Sequence, residues 1–192
     1  IIGCPHRVTP KYLSDAKNKW AEKFADLPHP ITALIIGGAI KGKPFSKDNA
    51  LSLGLAVKKF KQQDKGSLLI TTSRRTGGES EKIILEQLKD IPQFDYLWGD
   101  TSDNPYSGFL ACADNIIVTG DSVSMCCEAT GTGKPIYLFT GQNWLSDKHM
   151  RFVRSLCETG CAVMLDSEYA ADFKPQKSLN AAAEVAALIE KL

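Results

Sequence analysis

The chain has 192 residues, enough for one domain with a real core and at most a short appendage. Lys and Arg number 23 against 22 Asp and Glu, giving a net charge of +1 with the signs interspersed, which excludes bulk electrostatic attraction to nucleic acid. Apolar residues make up 43% of the chain, but its apolar runs, such as those at 33–36 and 136–139, do not exceed five residues and are far too short to span a bilayer.

Ile1–Gly3 reads as the end of a strand, and residues 6–10 as a polar turn. The spacing of Leu13, Ala16, Trp20 and Phe24 predicts a helix from about Pro10 to Ala25, ended by Pro28-His29-Pro30. Thr32–Ile36 reads as a buried strand closed by Gly37-Gly38. A polar loop then reaches Ser46, the expected N-cap of a helix carrying Ala50, Leu53, Leu55, Val57 and Phe60. The pattern repeats as strand Ser67–Thr72, loop Ser73–Gly78 and a helix over Glu79–Leu88 with Ile83, Ile84 and Leu88 inward. Phe94–Trp98 is a short strand, and Asn104-Pro105 opens a short helix with Pro at its first position. Next come strand 115–119, helix 121–130 and strand 136–140. A helix over Ser146–Thr159, a strand over Ala162–Leu165 and a terminal helix over Ala181–Leu192 complete the chain. Strands apolar throughout, alternating with helices, place the fold in the α/β class, a Rossmann-like parallel sheet sandwiched by helices.

Such sheets bind ligands at the carboxyl ends of their strands, near a topological switch point. That rule selects four loops: Gly37–Lys43, Ser73–Gly78, Trp98–Pro105 and Gly120–Ser124. Gly37 and Gly38 allow a backbone to approach a phosphate with Lys41 or Lys43 beside it; the same pair also fits an ordinary strand-to-helix turn. The run TTSRRTGG over 71–78 supplies hydroxyls, including Ser73, the adjacent Arg74 and Arg75, and two glycines. Guanidinium forks match phosphate oxygens; the alternative is a solvated basic loop paired with Glu79 or Glu81. In GDSVSMCCE over 120–128, Gly120 and Asp121 make a sharp turn. Ser122 and Ser124 fall in the first helical turn, where N–H groups hold phosphate, and Glu128 lies one to two turns on, within reach of ribose hydroxyls. The competing reading there is an N-cap followed by an exposed acid.

The remaining signals are weaker. Residues 100–106 read first as a capped turn and second as a base or metal-diphosphate site, and Lys134 reads as part of a helix stop that lies near the ligand at most. GTGK over 131–134 lacks Walker A spacing, and no Gly-x-Gly-x-x-Gly follows the first strand, which disfavours a nicotinamide dehydrogenase. His149 is the one histidine expected close to a site. Cys4, Cys112, Cys126, Cys127, Cys157 and Cys161 lie mostly in apolar contexts suited to reduced, buried thiols; the Cys157–Cys161 pair has no matching second pair, so no metal is expected.

The motifs PHRVTP, the Gly-Gly turn, LLITTSRRTGGE, NPYSGFLACAD and NIIVTGDSVSMCCEATGTGKPIYLF occur in that order from His6 to about Phe139. Together they resemble the plant elongated-mitochondria fission-factor family and its bacterial relatives, which in turn resemble the GT-B glycosyltransferases with two Rossmann-like domains facing across a cleft. The resemblance implies that residues 11–192 are the C-terminal, nucleotide-sugar-binding domain and that residues 1–10 are the crossover from an N-terminal domain. It places Gly37, Gly38, Lys41, Ser73, Arg74, Arg75, Gly120, Asp121, Ser122 and Ser124 around the diphosphate and Glu128 on the ribose, with Arg74 and Arg75 stabilising the leaving diphosphate. It implies a nucleotide diphosphate-sugar as substrate, no separate cofactor, a partner in the chain's own N-terminal domain, no activity in this half alone and a cytoplasmic location. The plant relatives add a second expectation, a non-enzymatic adaptor in membrane or organelle division with a peripheral membrane or division-protein partner. A nucleotide-sugar epimerase is the third.

Overall fold

A computed structural model describes residues 2–167 and 173–190. In chain order its elements are α1 (Pro10–Trp20), β1 (Ile31–Ile35), α2 (Lys47–Asp64), β2 (Ser67–Thr71), α3 (Gly78–Leu88), β3 (Gln93–Tyr96) and α4 (Tyr106–Cys112). These are followed by β4 (Asn115–Thr119), α5 (Val123–Thr130), β5 (Ile136–Phe139), α6 (Asp147–Glu158), β6 (Val163–Met164) and α7 (Ala181–Ile189). All strand pairs are parallel, in the order β3-β2-β1-β4-β5-β6. Order reverses between β1 and β4, where Ala33 faces Leu69 on one side and Ile116 on the other. α2 and α3 pack together, and with this strand order the right-handed rule for parallel crossovers calls for them on one face and α5 on the other. The Rossmann-like α/β sandwich expected from the strand pattern is the fold observed.

Burial follows the strand chemistry. Leu34, Leu69, Ile117 and Leu138 have no exposed surface, and β1 and β2 are buried at every position, as strands covered on both faces must be. The edge strand β3 is half-buried throughout. On one face α1 lies against α4 so closely that a Cβ on Gly108 would meet the Trp20 ring at 2.5 Å, which is why that helix carries glycine there.

The helix ends show where chain signals act. Thr9 caps α1 by accepting the Tyr12 N–H at 3.1 Å with Pro10 at the start, and the helix tightens to a 3-10 turn over Ala21–Phe24, short of the expected continuous helix to Ala25. Ser46 caps α2 through the Asn49 N–H. Pro105 stands at the N-cap of α4, without a side-chain cap, and not at the first helical position, so the helix begins one residue after the proline; Asn104 Oδ1, just before the cap, accepts the Tyr106 N–H at 2.9 Å. The expected strand over Ile1–Gly3 is absent at residues 2–3, and Ile1 lies outside the described residues, as do the last two residues of the expected terminal helix. β6 is shorter than Ala162–Leu165, although Leu165 N–H still donates to Leu138. All six cysteines are unbridged; Cys126, Cys127 and Cys161 are buried and Cys4, Cys112 and Cys157 half-buried.

Candidate functional site

The carboxyl ends of β2 and β3 and the amino ends of α4 and α5 enclose a cavity of about 520 Å³. β2 and the loop after it contribute Thr71, Thr72 and Ser73; the segment after β3 contributes Leu97, Trp98 and Asp100; α4 presents Tyr106; α5 and its cap present Ser122, Ser124, Met125 and Glu128. The rule that parallel sheets place ligands at strand carboxyl ends is met by this position.

Two features give the cavity chemical direction. Ser122 caps α5, accepting the Met125 N–H at 3.4 Å, and Ser122, Ser124 and Met125 all line the cavity, so the amino end of an eight-residue helix forms part of its wall. One to two turns further on, Glu128 accepts a 2.6 Å hydrogen bond from the Tyr106 hydroxyl. Burial first, and the Glu128 charge second, push the Tyr106 phenol well above its ordinary value. The phenol therefore stays protonated and donates, fixing one carboxylate oxygen and leaving the other for hydroxyls of a bound molecule.

Beside the cavity lies an internal network built from other expected site residues. The Asp121 side chain has no exposed surface and accepts from Gly38 N–H at 2.8 Å, from the Thr119 hydroxyl at 2.7 Å and from Arg75 Nη1 at 2.8 Å. Arg75 Nη1 also donates to the Ala39 carbonyl at 2.8 Å. Gly37 N–H donates to Thr119 Oγ1 at 2.7 Å, and the Ser73 and Thr76 hydroxyls both donate to the Gly37 carbonyl. A Cβ on Gly37 would lie 2.2 Å from the Asp121 carboxylate, and one on Gly38 would lie 2.1 Å from the Arg75 backbone. The glycines thus let three loops close on one another, and their N–H groups face inward.

Of the expected residues, then, Ser73, Ser122, Ser124 and Glu128 line the cavity together. Gly37, Gly38, Arg75 and Asp121 form the clamp behind it. Gly120 continues the ladder by donating to Phe139, and a Cβ there would meet Val153 at 2.8 Å. Arg74 is exposed on its loop, and Lys41 is exposed in a turn closed by the Ile40–Lys43 bridge. Lys134 is not near the cavity ligand position: its ammonium donates to the carbonyls of Leu110, Ala111 and Ala113 at the end of α4. His149 takes part in the cap of α6 through Ser146. Met125 carries no signal of its own in the sequence; Thr72, Trp98 and Tyr106 lie in the segments 71–78, 98–105 and 100–106 that the sequence singles out, but nothing local gives them individual roles or pairs Tyr106 with Glu128.

Comparison with known proteins gives three results. The Mitochondrial fission ELM1 family matches residues 1–192. The mitochondrial fission protein ELM1 of Arabidopsis thaliana is 34% identical over 158 residues, covering 82% of this chain and 36% of that protein. An uncharacterized protein of Rickettsia prowazekii (strain Madrid E), RP120, is 33% identical over 192 residues, covering 99% of this chain and 54% of that protein. The chain thus spans between about a third and about half of the length of these relatives. Among solved structures, Acinetobacter baumannii MurG superposes with a TM-score of 0.51 at 18% identity, over 96% of this chain and 54% of that one. A putative UDP-N-acetylglucosamine 2-epimerase from Listeria monocytogenes does so with a TM-score of 0.51 at 12% identity, over 96% and 48%. At those identities the likeness is one of fold. Matched over its whole length, and carrying the Rossmann-like sheet found in GT-B glycosyltransferases, the chain belongs to the Mitochondrial fission ELM1 family.

Proposed function

We propose that this chain is the donor-binding half of a GT-B-like glycosyltransferase, with the cavity taking a nucleotide diphosphate-sugar. The observation that carries the reading is the pairing, in one cavity of about 520 Å³, of the α5 amino end with a Glu128 held by Tyr106. The first suits a diphosphate, because N–H dipoles favour negative charge there; the second suits vicinal ribose hydroxyls. As the sugar leaves, the growing charge on the diphosphate is met by those N–H groups, by Ser73 and Ser124, and by Arg74, which is exposed on the adjacent loop and able to swing in. Arg75 acts from behind, holding the Gly37-Gly38 turn through Asp121. In this reading the donor is the only small molecule the half-site needs, no metal is required, and the acceptor and the base that activates it come from a further N-terminal domain of the protein in the cytoplasm.

Calorimetry with UDP, GDP, ADP and CMP tests the reading. Heat with at least one nucleotide, lost in Glu128→Ala, supports it; no heat with any of them removes it. The name of the Arabidopsis relative favours a second reading, an adaptor in organelle division that works through protein contacts at a membrane. Capture of a division protein by the wild type and equally by Glu128→Ala, in the absence of nucleotide binding, would select that reading. No helix among the described residues is long and apolar enough to cross a membrane.

A further inference from the structure

We infer that Trp98 is the stacking platform for the base of the nucleotide, presented by a hydrogen-bonded relay from Thr72 and Glu81. The inference rests on the nucleotide reading above and assigns the end of the cavity which that reading leaves unassigned.

Trp98 lines the cavity with 63% of its surface exposed, whereas Trp20 and Trp144 are buried at 4% and 1%. An indole of that size left in water at the rim of a cavity is the kind of apolar surface that a ligand covers. Its backbone, by contrast, is tightly held. Trp98 N–H donates to Thr72 Oγ1 at 2.8 Å, and that hydroxyl donates to Glu81 Oε2 at 2.6 Å, so β2 and α3 together fix where the loop after β3 emerges. Leu97 and Asp100 close the turn around it: Leu97 N–H donates to the Asp100 carboxylate at 2.8 Å and Asp100 N–H to the Leu97 carbonyl at 3.1 Å. Gly99 completes the turn at φ +104, with nothing within 4 Å of where its Cβ would stand, so the space next to the indole is open. A fixed backbone carrying an uncovered ring is a preorganised stacking surface, and every nucleobase has a π-face to place on it. The polar end of the same cavity, at α5 and Glu128, accounts for phosphate and ribose; the planar, apolar base is the part of a nucleotide that the indole fits. Because stacking reads a π-face and no hydrogen-bonding edge, this platform selects nucleotide over base-free phosphate without itself choosing among bases.

The test uses the 192-residue chain and follows tryptophan emission and heat while UDP, ADP, GDP, CDP or inorganic pyrophosphate is added. With two of the three tryptophans buried, emission quenched by a nucleotide reports Trp98. The expected result is quenching by nucleoside diphosphates and not by pyrophosphate. Trp98→Ala should weaken nucleotide binding about ten-fold, within the range of a single base–aromatic stack, with Trp98→Phe retaining most of the affinity and pyrophosphate binding unchanged in both. Thr72→Val, which removes the anchor of the Trp98 N–H, should reduce the quenching amplitude, and Thr72→Ser should restore it. Nucleotides that bind with heat but leave emission unchanged, and bind Trp98→Ala as well as wild type, overturn the stack and leave the nucleotide site standing. Absence of heat with every nucleotide overturns the site and the stack together.

Discussion

A carboxylate with no exposed surface needs its charge answered from within, and Asp121 is answered by the Gly38 amide, the Thr119 hydroxyl and the Arg75 guanidinium. Truncating it strands these donors together, so Asp121→Ala is expected to cost about 3–5 kcal/mol in urea unfolding. Arg75→Ala leaves the buried charge unpaired and should cost a comparable amount, while the double variant should cost clearly less than the sum of the two. Additive losses would show that the pair is not coupled. Residues of this clamp and residues of the cavity look alike in sequence, since Gly-Gly, Ser-Arg-Arg and Gly-Asp-Ser serve equally for binding phosphate and for loop-to-loop closure. Glu128 was legible because an acid one to two turns beyond a capped helix start has an evident use. Its partner was not, because Tyr106 stands 22 positions earlier on a different helix and is brought there only by the crossover from β3 to β4. Tyr106→Phe removes the 2.6 Å bond to Glu128 and is expected to cost about 1.5–3 kcal/mol of stability, the usual range for a hydrogen bond to a charged group. Unchanged urea midpoints would show that Glu128 finds another partner.

At the scale of elements, the sequence specifies strands more directly than helix ends. Continuous apolar runs such as 116–118 and 68–70 have only one use in a sheet covered on both faces, whereas a helix start is decided by which of several polar residues turns its side chain toward the backbone. Helix 121–130 begins instead at Val123, because Asp121 points into the core and leaves the cap to Ser122. The end of α4 depends on a residue from outside it. The Lys134 ammonium reaches three carbonyls there, so Lys134→Met, which keeps the apolar stem, should cost about 1.5–3 kcal/mol by urea titration, and no loss would mean that water replaces the ammonium. α5 carries a pH dependence of its own. Burial pushes the Cys127 thiol up to about 12 from an ordinary 9 and holds Cys126 well above that value too. Folded, Cys127 keeps its proton at pH values where the unfolded chain has lost it. Its contribution to stability is therefore complete below pH 9 and declines as the pH rises from 9 to 12, by at most about 1.4 kcal/mol per pH unit. Urea midpoints at pH 8 and pH 10 should fall further for wild type than for Cys127→Ala; equal falls would exclude the thiol as the cause.

The whole molecule converts local binding into global stability, because the segments that wall the cavity leave β2, β3 and β4, and these belong to one sheet with one core. A ligand that binds only when those segments are in register binds the folded state alone, and its binding energy adds to the free energy of unfolding the entire sheet. At a hundred times its dissociation constant, a nucleotide adds about 2.7 kcal/mol. For a chain of 192 residues each kcal/mol moves the melting temperature by about 2–4 °C, so saturation should raise it by about 5–10 °C. The transition should move as a unit, since no part of the sheet can unfold while keeping the cavity. Glu128→Ala removes the same 2.6 Å bond as Tyr106→Phe, so without ligand it should melt about 3–12 °C below wild type, and it should lose most of the ligand-induced shift. Asp121→Ala should also melt early, because the clamp is gone, but a ligand should still raise what stability remains. A nucleotide shift that survives Glu128→Ala intact would place the ligand elsewhere on the molecule, because a site using that carboxylate cannot bind equally well without it.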